Sequence, residues 1–226
     1  MRNERHGLVI AIDGPSGAGK STVARLLARR LGYTYIDTGA LYRAVGWKAK
    51  QDGVDAADEA ALQALCDHTE VAIGHDGDVQ HVFLNGQDIT GDIRTPEMGM
   101  MASAVSRSPA VRARLLTLQR KLGDRGGVVM DGRDIGTVVF PKADVKIFLD
   151  ASPEERGRRR YRELREKGMP VDLATITEEI RARDLQDSSR DIAPLRPAPD
   201  AVAVDSSTMN IEQVVDALLA LISRKG

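Results

Sequence analysis

The chain has 226 residues, 42% hydrophobic and 29% charged, with 32 basic side chains against 33 acidic ones for a net charge of −1. That length and apolar content suffice for one globular domain over 1–226, and near-neutrality excludes a global pull toward nucleic acid or an anionic membrane. Cys66 stands alone, which excludes an internal disulfide and fits a reducing compartment, and no run approaches the ~18 apolar residues of a membrane span.

In chain order, the basic opening Met1–Gly7 leads into an apolar run too short for a signal-peptide core, so a cytoplasmic location is expected. That run, Leu8 to Ile12, reads as a strand buried on both faces of a parallel sheet. After a glycine-rich turn, Thr22 to Leu31 carries Val23, Leu26, Leu27, Arg30 and Leu31 at helical spacing, and Gly32 is a stop. Tyr33 to Ile36 is a second strand, with Asp37 or Thr38 capping a helix behind it. Cys66 lies in an alanine- and leucine-rich segment and reads as a small core residue. Residues 69–93 break the pattern. Glu70–Ile73 and Val79–Leu84 are strand-like, and His75-Asp76-Gly77-Asp78 and Asn85-Gly86 are turn signals, so an antiparallel meander is inserted here. Helices resume at about 97–107 and 110–122. Gly127–Asp131 and Val145–Asp150 are buried-strand runs, separated by a polar turn. Charged helical stretches cover about 153–167 and 172–189. Ala201–Asp205 is a last strand. Ile211 to Ile222 closes the chain as an amphipathic helix with Val214, Val215, Leu218, Leu219 and Ile222 on one face. The fold class expected is α/β: a five-stranded parallel sheet flanked by helices, of the type found in P-loop nucleoside triphosphate hydrolases, with a small antiparallel insert.

Gly14-Pro15-Ser16-Gly17-Ala18-Gly19-Lys20-Ser21 fits the Walker A pattern between a buried strand and a helix. Glycines allow backbone N–H groups to turn toward phosphate oxygens, and the helix N-terminus adds partial positive charge. Lys20 suits the outer phosphates of ATP, the Ser21 hydroxyl suits Mg²⁺, and Thr22 extends the nucleotide-binding set. Val128-Val129-Met130-Asp131 resembles a Walker B strand end, but Gly132 follows where many hydrolytic ATPases carry a glutamate. Asp131-Gly132-Arg133-Asp134 instead places an arginine and two carboxylates at a strand end, where open sheets hold ligands. Arg156, Arg158, Arg159, Arg160, Arg162 and Arg165 crowd one predicted helix against Glu154, Glu155 and Glu163, and Arg181, Arg183 and Arg190 follow. Arg156 and Arg160, four apart, share a face. At least one of Arg158–Arg160 and one of Arg181–Arg190 are expected to reach phosphate. No asparagine is followed by lysine, so the base-reading motif of a regulatory GTPase is missing. His6, His68, His75, His81 and Trp47 lie outside these motifs and read as surface, local-structure or packing residues.

Asp37-Thr38-Gly39-Ala40-Leu41-Tyr42-Arg43 narrows the reading. Together with Asp13–Lys20, Asp131-Gly132-Arg133-Asp134-Ile135-Gly136-Thr137 and Lys146-Ile147-Phe148-Leu149-Asp150-Ala151-Ser152, it resembles the bacterial cytidylate kinases, in order over about residues 8–222. The resemblance implies ATP-dependent phosphorylation of CMP and dCMP in pyrimidine nucleotide metabolism. It also implies a monophosphate-binding region over about 38–107 that contains the insert, and an arginine-rich lid over about 153–170. Matched by position, Thr38, Tyr42 and Arg43 line the monophosphate site, with Thr38 where family members often carry serine. Arg43, Arg133 and Arg190 hold the acceptor phosphate. Ser103, Arg112 and Asp134 read the cytosine edge, and Arg183 and Asp187 lie near the sugar. Lys20, Arg133, Arg159 and Arg190 are expected to stabilise the transferring group. The partners implied are ATP and CMP or dCMP, with no nucleic acid and no membrane, and a monomer, since nothing in the sequence demands a second copy. Two alternatives stay open: another small-molecule P-loop kinase (adenylate, thymidylate or shikimate), and a nucleotide-binding regulator that transfers nothing.

Overall fold

Five apolar runs pair into one parallel sheet in the computed structural model, which describes residues 7–224; His6 and the rest of the basic opening lie outside the described residues. The strands are β1 (Val9–Asp13), β2 (Thr34–Asp37), β6 (Val128–Gly132), β7 (Val145–Asp150) and β8 (Val202–Asp205), in the order β2-β6-β1-β7-β8. β1 and β6 are buried at every residue, as strands covered on both faces must be. On one face, helices α1 (Lys20–Leu31) and α8 (Ile211–Ile222) close over Ile10, Ile12, Ile147 and Leu149 with Leu27, Val215 and Leu218. The other face buries Val9, Ala11, Ile36 and Met130. Each fully buried Ile or Leu contributes about 1.5–3 kcal/mol.

The expected elements are present within a residue or two at their ends, except that the first strand of the insert runs on to Asp76: His75 and Asp76, expected in the turn, pair with Gln80 and Val79, which leaves Gly77 and Asp78 for the turn. Gly32 ends α1 in a left-handed conformation with its N–H on Ala28 and Arg29. The buried stripe of α1 is Val23, Ala24, Leu27 and Ala28; Arg30, expected among the apolar set, is instead exposed and pairs with Glu212 and Asp216 of α8. Its long stem and charge suit that rim position rather than the core. Of the two candidate caps, Asp37 starts α2 (Thr38–Gln51), accepting the Ala40 N–H at 3.0 Å.

The segment around Cys66 forms a helix absent from the expectations, α3 (Glu59–Asp67), capped by Asp58. Its Leu62, Leu65 and Cys66 pack on Val111 and Leu115 of α5 (Pro109–Gly123). The insert is a three-stranded antiparallel sheet: β3 (Val71–Asp76), β4 (Val79–Leu84) and β5 (Gln87–Asp88). Asn85 and Gly86 both turn through positive φ between the last two strands, as a tight hairpin requires. Val82 and Leu84 seat the insert under α2, beside Ile89, Ile93 and a half-buried Trp47. His75 donates to the Tyr35 carbonyl at 2.9 Å and His81 pairs with Asp88, so both are local-structure residues.

α4 (Pro96–Val105) and α5 start from Thr95 and Ser108 caps. Past β6 the chain makes a single π-turn at Ile135–Val139 before β7. α6 (Pro153–Glu166) and α7 (Leu173–Ser188) form a hairpin with its own small apolar cluster of Leu164, Ile176 and Ile180. Among the described residues, no helix is long and apolar enough to cross a membrane.

Candidate active site

The parallel register brings the C-terminal ends of β1, β2 and β6 level, with Asp13 opposite Gly132 and Asp37 opposite Asp131. A cleft of about 770 Å³ opens there. Its floor is the loop before α1. Gly14 holds φ 150°, and a Cβ on it would lie 1.9 Å from the Leu149 carbonyl oxygen, so only glycine fits between β1 and β7. Ser16 through Thr22 line the cleft, while Gly14 and Pro15 lie beneath it. Lys20 is 5% exposed and donates to the Pro15 carbonyl at 2.6 Å. Burial and the Arg133 guanidinium press its ammonium well below the usual lysine range; Asp131 and Asp13 work against them.

Asp131 sits between two hydroxyls, accepting Ser21 Oγ and Tyr35 Oη at 2.9 Å each. Burial and the Asp37 carboxylate raise it to about 6, against Lys20, Ser21 and Tyr35. Asp13 accepts the N–H groups of Ile135 and Gly136 at 2.8 and 2.7 Å, which pins the π-turn behind Asp134. Burial drives Asp13 up to about 7 in spite of those two bonds. At Asp13 the folded state therefore binds the proton more tightly than the unfolded chain, and this group's contribution to stability falls as pH rises from about 4 to 7. Asp13→Asn is expected to flatten that fall, read as urea midpoints at pH 5 and pH 7.5. Identical slopes for the two proteins would rule the assignment out.

The opposite wall is built from arginines. Thr38 Oγ1 donates to the Asp131 carbonyl at 2.8 Å, and Arg43 pairs with Asp37 at 2.8 Å. Arg112 pairs with Asp134, reaches the Ser106 carbonyl and lies over the Tyr42 ring at 5.8 Å. Burial still holds the Asp134 carboxyl above its ordinary range. Asp187, 1% exposed, is a hub: it accepts Arg133 Nε at 3.1 Å, Arg190, and the Ser103 hydroxyl at 3.3 Å. Burial alone would raise its carboxyl; Arg133, Arg190 and Arg183 together hold it below the usual range. Burial and Arg133 bring Arg183 down to about 10. The buried Nε atoms of Arg43, Arg183 and Arg190 have no hydrogen-bond partner within the protein. Buried guanidinium donors without partners, set together in a cleft, are what an anion with several oxygens satisfies.

Thr38, Tyr42, Arg43, Ser103, Arg112, Arg133, Asp134, Arg183, Asp187 and Arg190 thus all border one cleft with the donor loop. The charged helix divides differently from the spacing argument. Arg159, Arg160 and Arg162 border the cleft. Arg159 also bonds the Ala18 carbonyl at 3.4 Å and the Ser206 carbonyl at 2.6 Å. Arg158 is a surface pair with Glu155. Arg156 does not share the exposure of Arg160; it is 2% exposed and turned into the protein, onto the Ala151 and Ser16 carbonyls and Asp184. One group of lining residues, and one residue outside the lining, carried no sequence signal. Ser206, Met209 and Asn210 of the β8–α8 connection, which has no motif, border the cleft with Ile211 at the start of α8. Gln80, from the insert, clamps the Asp37 backbone, accepting its N–H at 2.8 Å.

A sequence model of the cytidylate kinases matches residues 10–224. A cytidylate kinase of Pelotomaculum thermopropionicum is 54% identical over 215 residues, 95% of each chain. One of Syntrophotalea carbinolica is 52% identical over 218 residues, 96% of this chain and 93% of the relative. Among solved structures, an uncharacterized protein from Eubacterium ventriosum superposes with TM-score 0.53 at 12% identity, over 96% of this chain and 98% of that one, a likeness of fold alone.

Proposed function

The chain belongs to the cytidylate kinase family, and from that premise we propose that it transfers the terminal phosphoryl group of ATP to CMP, and to dCMP in the same site. The observation that supports this most is the arginine wall facing the phosphate-binding loop. Arg43, Arg133, Arg183 and Arg190, all but Arg133 with an unpartnered buried Nε, border the cleft together with Thr38. Beyond them, the Arg112–Asp134 pair and Ser103 offer donors and an acceptor for the amino, N3 and O2 edge of cytosine. A mismatched base would leave those buried groups unpaired, which is a strong basis for rejection.

In this reading, Lys20 and the N–H groups of Ser16–Thr22 bind the β- and γ-phosphates. Met209 and Ile211 offer an apolar wall beside the loop for the adenine face. The adjacent oxygens of Ser21 and Asp131 fit Mg²⁺, which takes few protein ligands and completes its shell with phosphate and water. When bound, that ion supplies charge neutralisation on the donor phosphates. Arg43, Arg133 and Arg190 orient the acceptor phosphate in line, and Arg133, Arg159 and Arg190 meet the charge that spreads as the phosphoryl group loosens. The acceptor phosphate is already ionised near neutral pH, so no strong general base is required. We assign residues 38–107 to acceptor binding and 153–170 to a lid that excludes water, within one monomeric cytoplasmic domain.

The test is an acceptor panel of CMP, dCMP, UMP, AMP, dTMP and shikimate with ATP and Mg²⁺, read as ADP release. CMP-dependent release supports the reading; preference for AMP, dTMP or shikimate, or release that ignores every acceptor, overturns it. Arg43→Ala should raise KM for CMP about ten- to a hundredfold, the loss of one charge-assisted contact of about 1.5–3 kcal/mol, with KM for ATP little changed. Unchanged acceptor kinetics would remove Arg43 from the site.

A further inference from the structure

We propose that the ion pair between buried Arg156 and half-buried Asp184 is a strut that couples the donor loop to the acceptor wall, making both side chains positioning residues for transfer. The inference rests on the kinase reading above. Arg156 stands in the first turn of α6, and its guanidinium is fully engaged. Nε donates to the Ala151 carbonyl at 2.7 Å, and the two terminal nitrogens fork onto Asp184 at 3.0 and 2.6 Å. Nη1 also donates to the Ser16 carbonyl at 3.1 Å. None of these contacts is with a cleft-lining arginine, and neither Arg156 nor Asp184 borders the cleft.

The contact with Ser16 has a consequence for the loop. The Ser16 carbonyl and the Gly17 N–H belong to one planar trans peptide and point in opposite directions. Fixing the oxygen on Arg156 therefore aims the Gly17 N–H away from α6, toward the cleft that both residues line. At the other end, Asp184 follows Arg183 and precedes Asp187 by one turn on α7. The helix thus carries acceptor-site groups on one flank and the strut on another. A bidentate guanidinium–carboxylate pair resists sliding, so a shift of α7 onto an acceptor is passed to Arg156 and from there to Ser16. The hairpin is closely packed beside Arg156: a Cβ on Gly157 would lie 2.4 Å from Thr177 Oγ1, so the Thr177 side chain of α7 sits directly on the bare backbone of α6.

The test measures binding of the β,γ-imido analogue of ATP by calorimetry, with and without CMP, in the full chain. In the natural protein, CMP should tighten the analogue at least about fivefold. In Asp184→Asn, which breaks the fork, and in Arg156→Lys, which keeps the charge but cannot reach Ser16 and Asp184 together, the factor should fall below about twofold, with CMP affinity alone unchanged. Asp184→Glu, which restores a carboxylate, should recover part of the coupling. Arg156→Lys keeps a buried pair and so remains informative if Asp184→Asn does not fold. A factor unchanged in either folded variant, or no coupling in the natural protein, overturns the strut while CMP-dependent ADP release stands. Absence of that release overturns the kinase reading and the strut with it.

Discussion

Lys20→Ala should lower kcat on the order of 10²–10³-fold while the folded chain survives. The side chain is buried at the N-terminus of α1, and its ammonium donates to the Pro15 carbonyl, within its own loop. Truncation leaves that carbonyl short of one partner, a cost of about 1–3 kcal/mol, within reach of an ordinary domain's stability. The catalytic cost is larger. A cation fixed at the phosphate-binding loop meets charge that grows on the phosphates during transfer, and Arg133 and Arg159, anchored on Asp187 and Ser206, have their own places around the transferring group and do not take over the position of Lys20. Removing Lys20 also removes the cation opposing the raised Asp131 carboxyl. Steady-state ADP release with urea unfolding as the control checks both halves. Near-normal turnover in a folded variant would refute the role given to the loop.

That loop was readable from sequence because every cue is local. A continuous apolar strand, glycines at fixed intervals and a helix start all fall within Leu8 to Leu31. The sheet order was not: β1 pairs with β6 more than 100 residues away, and no local pattern encodes which parallel strand lies beside which. α3 escaped notice because it is short, and its apolar face is meaningful only against α5. The arginine run shows the limit of periodicity most clearly. Spacing places Arg156 and Arg160 on one face, yet only contacts with elements distant in sequence, the Ser16 carbonyl and Asp184, decide that Arg156 turns inward. Asp13 had a faint signal, a lone carboxylate closing a buried strand. Gln80 and Met209 had none, since their roles arise from elements that meet only in three dimensions.

Asp187→Ala should cost about 3–5 kcal/mol of stability at neutral pH, the expectation for a buried pair stripped of one partner. The reason lies in what the carboxylate opposes. Arg133 and Arg190 bond to it directly, Arg183 faces it, and Ser103 donates to it. Without it, these guanidiniums repel one another with only Asp134, already paired to Arg112, left beside them. The native carboxyl is held below its ordinary range, so its contribution is complete above about pH 4 and is lost as pH falls through the lowered folded-state value. The variant should therefore show a flatter acid limb. An added anion should partly replace the missing charge, so inorganic sulfate should stabilise Asp187→Ala more than the natural protein, by mass action on the folded state. Under the proposed function, the same balance of charge leaves the acceptor site ready without its substrate. The carboxylate keeps the arginines gathered at low cost, and an incoming phosphate then needs only to fill the donor positions that Asp187 leaves open. Urea denaturation with and without sulfate decides the matter. Natural stability in the variant, or equal sulfate effects in both proteins, would mean that the arginines are compensated elsewhere and that Asp187 is not their organising charge.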